Sequence, residues 1–234
     1  MALFCGATRT HVPMQDAAAS PTTVPYALPS GTREALKWLA LLFMTGDHVA
    51  KVVHGGYVPV VTELGRIAFP LFALVMACNL AQPGADLRKS MRRLILWGVL
   101  AQPLHAWAVG AWLPVNILLT FALAAVAIQA LAQDRPWWLL LAAGVLPFFV
   151  DYRWAGVGLI VLCWIAFRHR VWWLPLPGLA AVCAINGNGW ALLAVPLAGV
   201  MARWPVPIPR ARWWFYVYYL GHLGVLAAYA QLLR

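Results

Sequence analysis

From residue 33 onward the chain alternates apolar runs with short polar breaks. The runs fall at 34–53, 62–82, 89–108, 114–132, 136–150, 155–168, 171–186, 189–203 and 213–232. A helix that crosses the hydrocarbon core of a bilayer needs about 20 predominantly apolar residues, and roughly 17 at the least. Most of the runs come close to that length, and the fifth, sixth and eighth are the shortest. The pattern predicts an all-α protein, a polytopic transmembrane helix bundle of about 8–9 spans. Pro70, Pro103, Pro147, Pro175, Pro177 and Pro196 fall inside runs. Within a bundle they are expected to kink helices whose neighbours re-satisfy the freed carbonyls. Residues 1–32 differ, with Pro13, Pro21, Pro25 and Pro29 and no long apolar run. They are expected to form a flexible cytoplasmic tail ahead of a helical domain over 33–234. No continuous apolar core of a secretory signal is present in that stretch, so the first run is expected to stay as an uncleaved anchor.

Composition supports the same reading. The chain is 63% hydrophobic and 10% charged, against about 25% charged in a soluble domain. Fourteen Trp fall mostly in pairs or near run ends, where a membrane–water interface satisfies both ring and N–H. The net charge of +10 raises a nucleic-acid partner. The basic residues are scattered in short clusters between runs, however, whereas such a partner needs a stripe on one face. With nine spans and the N-terminus inside, thirteen of the seventeen Lys and Arg fall on inner segments and three on outer ones. Arg66 lies within a span. That bias matches the positive-inside rule and sets the N-terminus in the cytoplasm. Cys5, Cys78, Cys163 and Cys183 form no close pair. No metal or redox motif is signalled, and all four read as structural.

Ionisable groups inside a membrane are costly, so each is a candidate for chemistry. The first run holds Asp47 and His48, followed by Lys51 and His54; the second opens with Glu63 and Arg66. His105 ends the third run, Asn116 opens the fourth, Asp151 joins the fifth to the sixth, and His222 sits mid-way in the last. On the deduced topology Asp47, His48, Glu63, Arg66, His105, Asn116 and Asp151 share one depth, as a polar cavity opening outward would require. Plainer roles stand beside these. Asp47 and Arg66 can neutralise each other, since an unpaired buried charge is expensive. Asn116 can cap a helix. Lys51 and His54 can snorkel to the headgroups, and His105 and His222 can be packed core histidines. Arg88, Arg92 and Arg93 are a topology signal or, more weakly, an anion site for a CoA phosphate. Asn186-Gly187-Asn188-Gly189 reads as a tight turn.

Several stretches resemble the TraX family. They are Ala35-Leu36-Lys37-Trp38 leading to Asp47-His48-Val49, and Leu64-Gly65-Arg66-Ile67-Ala68-Phe69-Pro70-Leu71-Phe72-Ala73. The segment Asn116-Ile117-Leu118-Leu119-Thr120-Phe121-Ala122-Leu123 and the last run, Phe215 to Leu223, belong with them. The family pattern has Tyr-Pro-x-His near its C-terminal end, and Leu220 stands here at the Pro position. The resemblance implies a multi-pass protein of the bacterial inner membrane that acts in conjugation and plasmid transfer. It implies acetylation of the pilin N-terminus with acetyl-CoA as co-substrate, no resident cofactor, and the lipid bilayer, a conjugative pilin subunit and an acyl-CoA donor as partners. His48 or His222 would then act as general base, with Asp47 orienting a His or holding the ammonium. Arg66 or Asn116 would stabilise the oxyanion. Other classes remain open at this point: a non-catalytic pilin assembly factor, or a membrane transporter subunit of the conjugation system.

Overall fold

The structure, a computed structural model, describes residues 28–204 and 206–232. Cys5, Arg9, Arg234 and most of the expected N-terminal tail lie outside the described residues. The apolar runs become helices: α1 Ser30–Val53, α2 Val61–Ala81, α3 Leu87–Val109, α4 Ile117–Ala132, α5 Pro136–Leu140, α6 Arg153–His169, α7 Pro175–Asn186, α8 Ala194–Arg203 and α9 Trp214–Leu232. A π turn and a 3-10 turn prolong α5 to Phe149, and a 3-10 turn, Trp190–Leu193, leads into α8. The all-α expectation holds.

The expected span count does not. Among the described residues one helix, Val61–Ala81, is both long enough and apolar enough to cross a bilayer, and 67% of its apolar window is packed inside the molecule. The other runs fail for separate reasons. α1 is 24 residues long but carries Arg33, Glu34, Lys37, Asp47 and Lys51. α3 opens with Arg88, Lys89, Arg92 and Arg93. The stretches Ile117–Ala132, Pro136–Phe149, Pro175–Asn186 and Trp190–Arg203 are apolar but short. α6 has 17 residues, and α9 is interrupted by tyrosines and His222. The bundle of 8–9 spans and the multi-pass inner-membrane location are therefore corrected. The cytoplasmic N-terminus, deduced from alternating spans, loses its basis with them.

α2 is the central element. It packs on α1 and α6 and touches α8 and the turn before it. Ala73, Ala77 and Ala81 are fully buried along it, and such small side chains let neighbouring backbones approach. The main core joins α2, α4, α6 and α7 around Ile128, Leu159 and Ile160. A second core sets Leu36 and Ala40 of α1 against Leu71 and Val75 of α2. Truncating a side chain as buried as Leu71 typically costs about 2–5 kcal/mol. Pro70 is accommodated within α2 and Pro103 within α3. Pro175 instead starts α7, where its missing N–H has no intrahelical partner to lose. The Asn186–Gly189 turn is present, with Gly187 at φ +68°, a left-handed conformation that suits Gly.

Three packings place the site. α1 and α2 form an antiparallel hairpin, α3 and α4 form another, and α9 returns across the molecule to lie on α3 and α1. The last helix thereby meets the first.

Candidate functional site

The C-terminal halves of α1 and α3 and the N-terminal starts of α2, α4 and α6 lie at one end of the bundle. The short connections from α1 through α4 return the chain at the end it left, and the start of α6 is tied to the start of α4 by the Val115–Val150 bridge and by Thr120 Oγ1 donating to Asp151 O at 2.9 Å. Asp47, His48, Arg66, His105, Asn116 and Asp151 all belong to this end.

α9 adds His222. His48 Nδ1 lies 2.8 Å from His222 Nε2, and the two rings are nearly parallel with centroids 5.1 Å apart. His222 Nδ1 lies 3.0 Å from the carbonyl oxygen of Tyr218. A carbonyl only accepts, so His222 Nδ1 carries the proton. In neutral His222 the Nε2 is then an acceptor, and His48 Nδ1 donates to it. His48 is left with a bare Nε2, the lone pair a general base uses. Thr45 on α1 steadies the segment: its hydroxyl donates to Leu41 O at 2.8 Å and so accepts from the Tyr218 hydroxyl at 3.0 Å. Tyr219 packs edge-on to His222, centroids 5.4 Å apart.

Asp47 has a different neighbour. Its ion pair is with Lys51, one turn on, at 2.6 Å. Among the described residues no ion pair joins it to Arg66 and no hydrogen bond joins it to His48 or His222. The carboxylate faces Gly65 of α2, where a Cβ would stand 2.5 Å from Asp47 Cβ. Only glycine permits so close an approach. The second oxygen, Asp47 Oδ1, is buried without a partner, as are Arg66 Nε and His105 Nδ1. The charges of Lys51, Asp47 and Arg66 all bear on Asp151, whose carboxyl is pushed up by burial and partly pulled back by Lys51. Tyr152 beside it stacks on Phe69 at 4.3 Å.

Asn116 is occupied. Its side-chain N–H groups donate to Gly98 O and Gln102 Oε1, both at 2.8 Å, and its Oδ1 accepts from Leu118 N at 3.1 Å. Gln102 Oε1 also takes the Asn116 backbone N–H at 2.8 Å, and Gln102 Nε2 donates to Trp112 O at 2.9 Å. The residue is fully buried. It caps α4 and ties α3 to it, with no N–H left for an oxyanion. Glu63 likewise serves the start of α2, accepting from the Tyr57 hydroxyl at 2.7 Å and Val60 N at 3.1 Å.

A cavity of about 550 Å³ opens at the opposite, basic end, between α1, α2, α3, α4 and α9. Lys89, Arg93, Arg210 and Arg212 line it, and Met44 and Tyr219 do so at the far end, toward His48 and His222. Of the expected anion-binding trio, Arg93 lines this cavity, whereas Arg88 and Arg92 are exposed and do not. Sequence reasoning missed Lys89, Arg210, Arg212 and Tyr219. A four-residue step from Lys89 to Arg93 along one helix face was the available signal; nothing local pointed to the other three.

The TraX protein family matches residues 32–229. Protein TraX of Escherichia coli (strain K12) is 30% identical over 142 residues, covering 61% of this chain and 57% of that relative. Protein TraX of Escherichia coli is 27% identical over 223 residues, 86% of this chain and 88% of the relative. The first match thus spans little more than half the relative's length. No solved structure matches. With the match running from α1 through most of α9, the chain belongs to the TraX family.

Proposed function

We propose that this chain is an acyltransferase of conjugation that moves an acetyl group from acetyl-CoA to the N-terminal amine of pilin. Family membership and the resemblance described above support the substrate class. The observation that carries the chemistry is the His48–His222 pair, in which the Tyr218 carbonyl fixes the tautomers and leaves His48 Nε2 bare.

An α-amino group has a pKa of about 8 and must shed a proton to attack a thioester. The amine nitrogen forms a bond to the acetyl carbonyl carbon while His48 Nε2 takes its proton. His48 then shares the positive charge with His222 through the 2.8 Å contact. The tetrahedral oxyanion needs donors, and Arg66 Nε and His105 Nδ1 are buried atoms with none of their capacity used. Collapse breaks the C–S bond, and the departing thiolate recovers the proton from His48. The products are an acetamide and free CoA thiol. Asp47 serves the site by holding Lys51.

The test is label transfer. Radiolabelled acetyl-CoA is incubated with the purified chain and a peptide of the pilin N-terminus. Labelled peptide is expected with the native chain and not with His48→Ala. An unlabelled peptide with the native chain overturns the reading.

A further inference from the structure

We infer that the basic cavity is the binding site of a coenzyme A thioester, with the phosphates at Lys89, Arg93, Arg210 and Arg212 and the acyl group directed past Tyr219 toward His48. The inference rests on the acyltransferase reading and adds to it a place and an orientation for the donor.

Charge is the first argument. Glu34 is the one acidic side chain on the cavity wall. It is already taken: Lys37 pairs with it at 2.6 Å, and its other oxygen receives Ala211 N at 3.5 Å. Among the described residues no carboxylate pairs with Lys89, Arg93, Arg210 or Arg212. Four uncompensated cations around one mouth call for a ligand with several negative charges, and Arg and Lys together suit phosphate. Arg93 is built in rather than loose. Its guanidinium lies over the Tyr216 ring, 5.6 Å from the centroid, and its Nε is buried with no partner. Glu34, by receiving Ala211 N, ties the loop that bears Arg210 and Arg212 to α1.

Shape is the second argument. Beyond the mouth the wall is apolar, with Leu41, Phe72, Val75, Leu118 and Phe121. An uncharged arm fits there and a second phosphate does not. Lys37 and His48 stand eleven residues apart on α1, ~16 Å at 1.5 Å per residue. A ligand anchored at the mouth needs a long, thin arm to reach the histidine pair. Met44 lies one turn before His48 on α1, and Tyr219 touches His222. Both side chains line the cavity, so its wall comes next to the histidine pair on α1 and on α9. A nucleotide carrying several phosphates on an uncharged thioester arm meets both demands.

Calorimetric titration of the full-length native chain with coenzyme A tests this. Binding is expected, weakening at least tenfold for Arg93→Gln with Arg212→Gln and weakening for dephospho-coenzyme A. Arg212 is exposed, so a stable Arg212→Gln single variant supplies a second reading if the double variant is poorly folded. His48→Ala is expected to bind like the native chain. Failure of the native chain to bind, unchanged affinity in the Arg variants, or equal displacement by an anionic phospholipid overturns the site. Binding without label transfer to peptide rejects the acyltransferase reading and leaves the site standing.

Discussion

The Asn116 knot between α3 and α4 and the His48–His222 pair between α1 and α9 are built from similar parts and differ in what they leave over. Both are polar groups held between helices at one end of the bundle. Asn116 and Gln102 saturate one another and the surrounding backbone at 2.8–3.1 Å. The histidine pair uses three of its four ring nitrogens and leaves His48 Nε2 bare. A satisfied buried network fixes a fold, because losing any member strands the rest. A network with one spare lone pair at its end has something to give to a substrate.

Removing parts from each side breaks or sharpens that contrast. The largest effect is expected from His48→Ala, which should cut acetyl transfer by roughly 10²–10⁴, the range of a general base. The yield of folded protein should hardly change, as circular dichroism and gel filtration would show. Asn116→Ala should do the reverse. It removes the α4 cap and the side-chain bonds to Gly98 O and Gln102 Oε1, while the backbone N–H of residue 116 stays on Gln102, for a loss of roughly 2–4 kcal/mol in denaturant unfolding. Transfer per folded molecule should stay near the native rate.

Gly65→Ala probes the contact beside both regions. Its Cβ would meet Asp47 Cβ at 2.5 Å, and overpacking of this kind costs about 1–3 kcal/mol. A lowered Tm with α1 displaced from α2 is expected; an unchanged Tm would mean that the helices part freely there. Asp151→Asn should act mainly through pH. Burial raises the Asp151 carboxyl in the folded chain, so the folded state holds a proton that the unfolded state releases. Stability should fall as pH rises from the ordinary carboxylate range through that raised value. The Asn variant should show a flatter Tm profile across the same window. Lys51→Met leaves the Asp47 carboxylate, only 11% exposed, without a partner on either oxygen, and should lower stability by about 1–3 kcal/mol.

The helices were legible because an apolar run is a local feature: each run in the sequence became helical within a few residues. The span count was not, because hydropathy read along the chain weighs neither helix breaks nor charge placement. The fifth run breaks into α, π and 3-10 turns, and α1 is studded with charges along its length. His48 and His222 could each be singled out as polar residues in apolar runs. Their contact could not, since 174 residues separate them and only the return of α9 onto α1 joins them. The expected Asp47–Arg66 pair had a rival in plain view. Lys51 stands at i+4 from Asp47, the spacing at which helix neighbours pair, and the structure places the ion pair there. The sequence leaves Asn116 as either cap or oxyanion donor, and its hydrogen bonds decide for the cap. The cavity is wholly tertiary: Lys89 and Arg93 stand on α3, Arg210 and Arg212 precede α9, and no local pattern links them.

The most direct measurement is the mass of pilin from cells carrying the native chain and from cells carrying His48→Ala at equal abundance. The account predicts that pilin from the first is heavier by one acetyl group at its N-terminus and that pilin from the second has a free amine. Equal pilin masses in the two would contradict it.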